Sequence, residues 1–192
     1  MKESLFVLTI IATTLTARSQ SVNYKAFKVD VSFGYAIPSG GNGIKGGATF
    51  TVEPHYRIKD NIALGLRLEG AALGYEIKLP GGSSDPQISL LNSYCATGEY
   101  YFKGTGLRPF AGAGLGAFVQ SSVDVSSSSG SSAVLVPGST RFGFFPTLGF
   151  EAGHFRLAGC YNIIGNSNNY AAFKIGFFLG GGKKAPVNDL EK

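Results

Sequence analysis

From Phe27 onward, large apolar residues occupy every second position over long stretches of the chain. Phe27, Val29, Val31, Phe33, Tyr35 and Ile37 alternate with Lys28, Asp30, Ser32, Gly34 and Ala36. Phe50, Val52, Pro54, Tyr56 and Ile58 alternate in the same way with Thr51, Glu53, His55 and Arg57. A period of two marks a β-strand whose faces meet different surroundings. The rhythm recurs over 62–69, 88–102, 107–119, 142–150, 155–163 and 171–179. Together the segments predict eight strands and an all-β fold.

Charge separates the two faces more sharply than hydropathy does. No apolar-parity position of the eight segments is Asp, Glu, Lys or Arg. The opposite parity carries ten charges: Lys28, Asp30, Glu53, Arg57, Arg67, Glu69, Glu99, Arg108, Arg156 and Lys174. Six are positive and four negative. A soluble barrel or sandwich turns its apolar face inward onto a small core. Here that face is the bulky one, whereas Gly34, Gly65, Gly112, Gly114, Gly116, Gly143, Gly149 and Gly176 share the charged face. Bulk outside with small or ion-paired groups inside describes an antiparallel up-and-down transmembrane β-barrel. Phe33, Tyr35, Phe50, Leu66, Phe144, Phe150, Phe173 and Phe177 would then face lipid. The ten charges would form a network that plugs the lumen, because buried charges persist only when paired.

The connections point the same way. Short turns at 59–61, 103–106 and 151–154 alternate with longer segments at 38–47, 80–87, 119–141 and 164–169. All short connections then lie at one end of the array, as in outer-membrane barrels with short periplasmic turns. An open sheet edge cannot persist in hydrocarbon, so the sheet must close. Side chains just fill an eight-stranded barrel, which should pass nothing large.

Composition bounds the rest. The chain has 192 residues, 44% of them hydrophobic and 15% charged, with 28 glycines. That is one domain, and a glycine share about twice the average disfavours helices. Lys2, the uncharged stretch 5–15, and small Ala17 and Ser19 before Gln20 form a secretory signal peptide over 1–19. The barrel is expected over 20–182, with a polar periplasmic tail over 183–192. Loss of Lys2, Glu3 and Arg18 lowers the net charge from +5 to +4. No later segment has the 18 apolar residues of a membrane helix.

The run Arg108-Pro109-Phe110-Ala111-Gly112-Ala113-Gly114-Leu115-Gly116 resembles the fifth-strand signature of the small outer-membrane β-barrel family, OmpA/OmpX-like in architecture. The likeness covers roughly 27–182 and includes Glu53-Pro54-His55-Tyr56 and Phe145-Pro146-Thr147-Leu148-Gly149-Phe150 ahead of short turns. It implies the outer membrane of a Gram-negative cell, no catalysis and no cofactor. Its implied partners are membrane lipid, lipopolysaccharide and the outer-membrane assembly machinery. The chain departs from the family by following Phe177-Phe178-Leu179 with three glycines and a polar tail.

Other patterns are weaker. Gly112 to Ala117 fits the dinucleotide pattern G-x-G-x-x-G/A but lacks a following helix. Gly40 to Gly47 has Gly, not Ser or Thr, after its lysine. His55 falls on the inward parity near a short turn, as a hydrogen-bond partner for Glu53 or Glu99, and His154 lies in a turn. Two histidines without clustered ligands argue against a metal. Cys95 and Cys160 lie on strands expected across the barrel from one another, too far to bridge. The segment 120–140, with its Ala133-Val134-Leu135-Val136 patch, is a candidate contact site for an extracellular partner. No basic cluster with interleaved aromatics suggests nucleic acid. Pro54 and Pro146 are expected at bulges, and the slipped alternation at Gly70-Ala71-Ala72 at a further bulge. Two competing functions remain: a secreted soluble β-barrel carrying a small apolar ligand, and an outer-membrane lipid-modifying enzyme.

Overall fold

A computed structural model describes residues 24–39, 44–78, 84–104, 106–126, 132–165 and 169–184. The expected signal segment 1–19, residues 185–192 of the expected tail, and residues 40–43 and 127–131 lie outside the described residues.

Eight strands follow in order: β1 (Phe27–Pro38), β2 (Ile44–Lys59), β3 (Ile62–Lys78), β4 (Ser84–Tyr101), β5 (Leu107–Ser126), β6 (Ser132–Ala152), β7 (Phe155–Asn162) and β8 (Tyr170–Gly180). Each pairs antiparallel with its sequence neighbour, and β8 returns to β1 to close the barrel. The alternating sequence makes this closure favourable, since every strand then turns one face to each environment.

Tight hairpins hold one end. Pairing of Lys59 with Ile62 leaves Asp60 and Asn61 as a two-residue turn. Pairing of Ala152 with Phe155 leaves Gly153 and His154, with Gly153 at φ +60°, a left-handed conformation open to glycine at no steric cost. The opposite end is uneven. Strands β5 and β6 run 20 and 21 residues, whereas β7 and β8 run 8 and 11. About ten tilted residues cross a bilayer, so the β5–β6 hairpin, paired out to Ser126 and Ser132, continues well past that span. Much of the stretch expected as loops at 80–87 and 119–141 is therefore strand. Serine-rich composition reads as loop, but ladder bonds are made by backbone, and the barrel wall below sets their register.

The proline and glycine expectations are corrected in the same way. Pro54 and Pro146 pair with Val29 and Ala113 without a register shift. Their other flank shows a gap in the ladder, at 53–54 against β3 and at 145–146 against β7, with the register unchanged across it. The missing proline N–H costs a bond there and needs no bulge. Through Gly70, Ala71 and Ala72 the β3–β4 register is also unbroken. Alternation continues, with Ala71 and Leu73 inward. The interior itself changes at this level, from charged to apolar.

The faces are oriented as the parity predicts. Phe33, Phe144 and Phe177 are 64%, 53% and 57% exposed on the outer wall, whereas Arg67 and Glu99 are 1% and 3% exposed inside. Tyr35, Phe50, Leu66, Phe150 and Phe173 are exposed as well.

Candidate functional site: a charged lumen

Register places the interior charges side by side. Asp30 lies opposite Glu53, Lys28 opposite His55, and Glu151 between Arg108 on β5 and Arg156 on β7. Their side chains meet on the axis in two clusters.

The cluster nearer the tight turns contains Lys28, Asp30, Glu53, His55, Arg57, Glu99, Tyr101, Glu151 and Arg156, all buried. Lys28 Nζ contacts Glu151, lies 3.0 Å from Asp30 Oδ2 and donates to Tyr101 Oη at 2.8 Å. Tyr101 donates to Glu99 Oε2 at 2.6 Å. Arg156 pairs with Glu99, donates to Glu151 Oε1 at 3.0 Å and stacks over Phe110 at 3.9 Å. Arg57 donates to the Gly181 carbonyl at 2.8 Å. His55 Nε2 lies 2.9 Å from Asp30 and 3.6 Å from Glu53, and Nδ1 lies 3.7 Å from Glu99.

The second cluster centres on Glu69. It pairs with Lys174, accepts from Thr51 Oγ1 at 3.0 Å and from Tyr170 Oη at 2.7 Å, and sits 3.9 Å from Arg67. Arg67 donates to Asn162 Oδ1 at 2.8 Å and Ser93 Oγ at 3.3 Å. Its guanidinium also approaches both Cys160 and Cys95 sulfurs, at 3.8 and 3.9 Å. Both thiols are free, as expected. Beyond this cluster the interior becomes apolar, with Ala36, Leu73, Leu91, Phe118, Ile164 and Tyr170 packed together.

Nine of the ten charges expected in the lumen are buried there. Arg108 is the outlier. It sits half-exposed at the turn end, donates to the Asp60 carbonyl and stacks on Tyr24 at 4.1 Å. Sequence reasoning missed Glu151, Tyr101, Asn162 and Tyr170. Glu151 was legible: extending the β6 parity by one residue past Phe150 places it inward, flanked by two arginines. It also brings the buried acids to five, equal to the five buried lysines and arginines.

Folding clusters ligand types that the sequence keeps apart. Oxygens of Glu53 and Glu99 and a nitrogen of His55 lie within 4.8 Å of one another. These are the residues that could hold a cation, but Arg156 and Lys28 already occupy the neighbouring carboxylate oxygens. Neither histidine reaches the long-loop end, since His154 Nδ1 lies 3.0 Å from the Phe178 carbonyl beside β8's turn-end terminus. The Gly112 to Ala117 run lies in the middle of β5, not at a helix N-terminus. Between the two clusters a cavity of about 20 Å³ is lined by Glu53, Arg67, Glu99 and Arg156. That volume holds about one water molecule. A vestibule of about 240 Å³ opens at the turn end, beside Tyr24, Arg108 and Glu151.

A closed eight-stranded antiparallel wall, apolar outside and ionic inside, defines the class of small outer-membrane β-barrels. Solved structures of that class resemble the chain. Neisserial surface protein A superimposes with a TM-score of 0.62 at 20% identity, covering 82% of this chain and 98% of that one. Outer membrane protein OprG from Pseudomonas aeruginosa gives 0.56 at 14% identity, covering 86% and 99%. At these identities the likeness establishes the fold. No family model and no curated protein sequence matches the chain.

Proposed function

We propose that the chain is an outer-membrane β-barrel of a Gram-negative cell, closed to conduction, that serves a structural and surface-interaction role without catalysis. The observation that carries this reading is the filled interior: two ion-paired clusters capped by an apolar layer, with a cavity of only about 20 Å³ between the clusters. A soluble carrier of an apolar ligand would need the reverse, an apolar chamber inside and charges outside. A lipid-modifying enzyme would place a histidine near the outer surface. Lipid and lipopolysaccharide surround the wall, and the assembly machinery inserts it.

The β5–β6 hairpin reaching beyond the membrane is the surface offered to an extracellular partner. Two measurements test the reading. In a planar bilayer the refolded chain should give no steady channel current, and stable openings would overturn the plugged lumen. Removing residues 120–140 should leave a heat-modifiable barrel that no longer supports cell-surface binding. Unchanged binding would overturn the interaction role.

A further inference from the structure

Two arginines from different strands meet over the same pair of rings at the turn end. Arg57 on β2 lies 4.9 Å from both the Tyr24 and the Tyr101 ring centroids, and Arg108 on β5 lies 4.1 and 4.5 Å from them. A guanidinium carries several N–H donors, which a ring does not satisfy as an oxygen does. Arg57 Nη1 donates to the Gly181 carbonyl at 2.8 Å. Its Nη2 is buried, has no hydrogen-bond partner among the described residues, and stands 3.9 Å from Glu151 Oε2. Arg108 donates to the backbone carbonyl of Asp60. Glu151 is a carboxylate whose charge acts on both arginines, and its Oε1 is already engaged in the lumen by Lys28 and Arg156.

Both groups border an open space. The vestibule of about 240 Å³ at this end is walled by Tyr24, Arg108, Glu151, Phe178 and Lys183. Arg57 stands directly behind that wall, bonded to Gly181 and set against the ring of Tyr24, two residues that line it. Gly182 completes the lip. It has no left-handed φ, and a β-carbon on it would meet nothing within 4 Å, so the fold does not itself require glycine there. An open lip beside a buried, unbonded donor is the arrangement of a ligand site rather than of a packed plug.

We infer that the turn-end vestibule binds a phosphate group, held directly by Arg108 and Lys183 and by the field of Arg57 from behind. A phosphate offers three acceptor oxygens and a charge of about −1.5 to −2 at neutral pH. That suits cations converging from the ends of β2, β5 and β8 better than the two oxygens of a carboxylate. Glu151 opposes the anion weakly, because Lys28 and Arg156 pair with it from the lumen side. The group arrives on a soluble phosphate ester or on a lipid headgroup at the rim. The inference goes beyond the role proposed above and requires only the folded barrel.

The test titrates inorganic phosphate into the full chain, refolded in a maltoside detergent at neutral pH, and reads binding by calorimetry against acetate and chloride at equal ionic strength. Saturable one-to-one binding at millimolar phosphate is expected, with acetate weaker. R108Q should weaken it about tenfold or more, the loss of a hydrogen bond between charged groups. G182L, which fills the lip without meeting the wall, should weaken it as well while keeping heat-modifiable mobility. Absence of saturable heat in the unaltered chain would overturn the inference, as would acetate binding as tightly as phosphate or undiminished binding in G182L. Repeating the titration in phospholipid nanodiscs assigns the source, and either result upholds the site. Phosphate binding that persists there points to a soluble ester, and binding that vanishes there while surviving in detergent points to a lipid headgroup.

Discussion

The guanidinium of Arg67 sits over the ring of Phe145, with Cζ 3.5 Å from the ring centroid, inside the barrel wall. It stands at the boundary between two interiors. On one side it reaches Glu69 and Asn162, and on the other it faces Phe145 and Phe118, so a single side chain joins the ionic cluster to the apolar cap. Arginine suits that position because its planar charge is weakly hydrated and stacks on aromatic faces.

Replacing Arg67 by Leu removes the stacked cation and leaves Asn162 and Ser93 without their donor. Breaking a buried, bonded charge pair typically costs about 3–5 kcal/mol. The expected result is a lower temperature for the folded-to-unfolded gel shift, with no gain in bilayer current. Current appearing at unchanged stability would show that Arg67 gates a path instead of filling it.

Glu99 and Glu53 should differ although both are inward glutamates lining the same small cavity. Glu99 receives Arg156 and the Tyr101 hydroxyl, whereas Glu53 faces the His55 ring at 3.6 Å. Glu99→Gln should therefore destabilise the barrel by roughly 2–3 kcal/mol more than Glu53→Gln, the scale of hydrogen bonds to a charged group. Urea unfolding from detergent micelles measures both.

Gly114 makes room for Phe145. A β-carbon on it would lie 2.3 Å from the Phe145 ring and 2.9 Å from the Ala96 carbonyl oxygen. Gly114→Val should cost about 1–3 kcal/mol through overpacking. Combining it with Phe145→Leu should recover part of that loss, and a double-mutant cycle reads the coupling.

On the outer face, Leu66→Arg should cost about 2–4 kcal/mol near the bilayer centre, whereas Leu107→Arg beside a turn should cost about 0–1. Both side chains are exposed in the isolated barrel, so a soluble protein would tolerate them equally. Unfolding from vesicles distinguishes the two cases.

Cys95 and Cys160 are buried and free. Neither should react with a membrane-permeant maleimide in the folded barrel, and two labels per chain should appear after unfolding. One label in the folded state would mean that the interior opens at the level of Arg67.

Parity alone determined the wall. Eight alternating segments purged of charge on one face require a two-sided sheet with its bulky face in hydrocarbon, and closure follows from backbone chemistry that no side chain alters. That is why Phe33 and Phe144 point outward and Arg67 and Glu99 inward, as the sequence predicts. Parity carries no information about neighbours across the lumen. Only the closed barrel decides that Lys28 meets Glu151, that one glutamate gathers Lys174, Tyr170 and Thr51, or that Gly114 yields its volume to a ring from the next strand. Those contacts depend on register, stagger and strand length, quantities set jointly by all eight strands. The same joint constraint keeps Pro54 and the Gly70 to Ala72 stretch in register, where local rules alone predict a bulge.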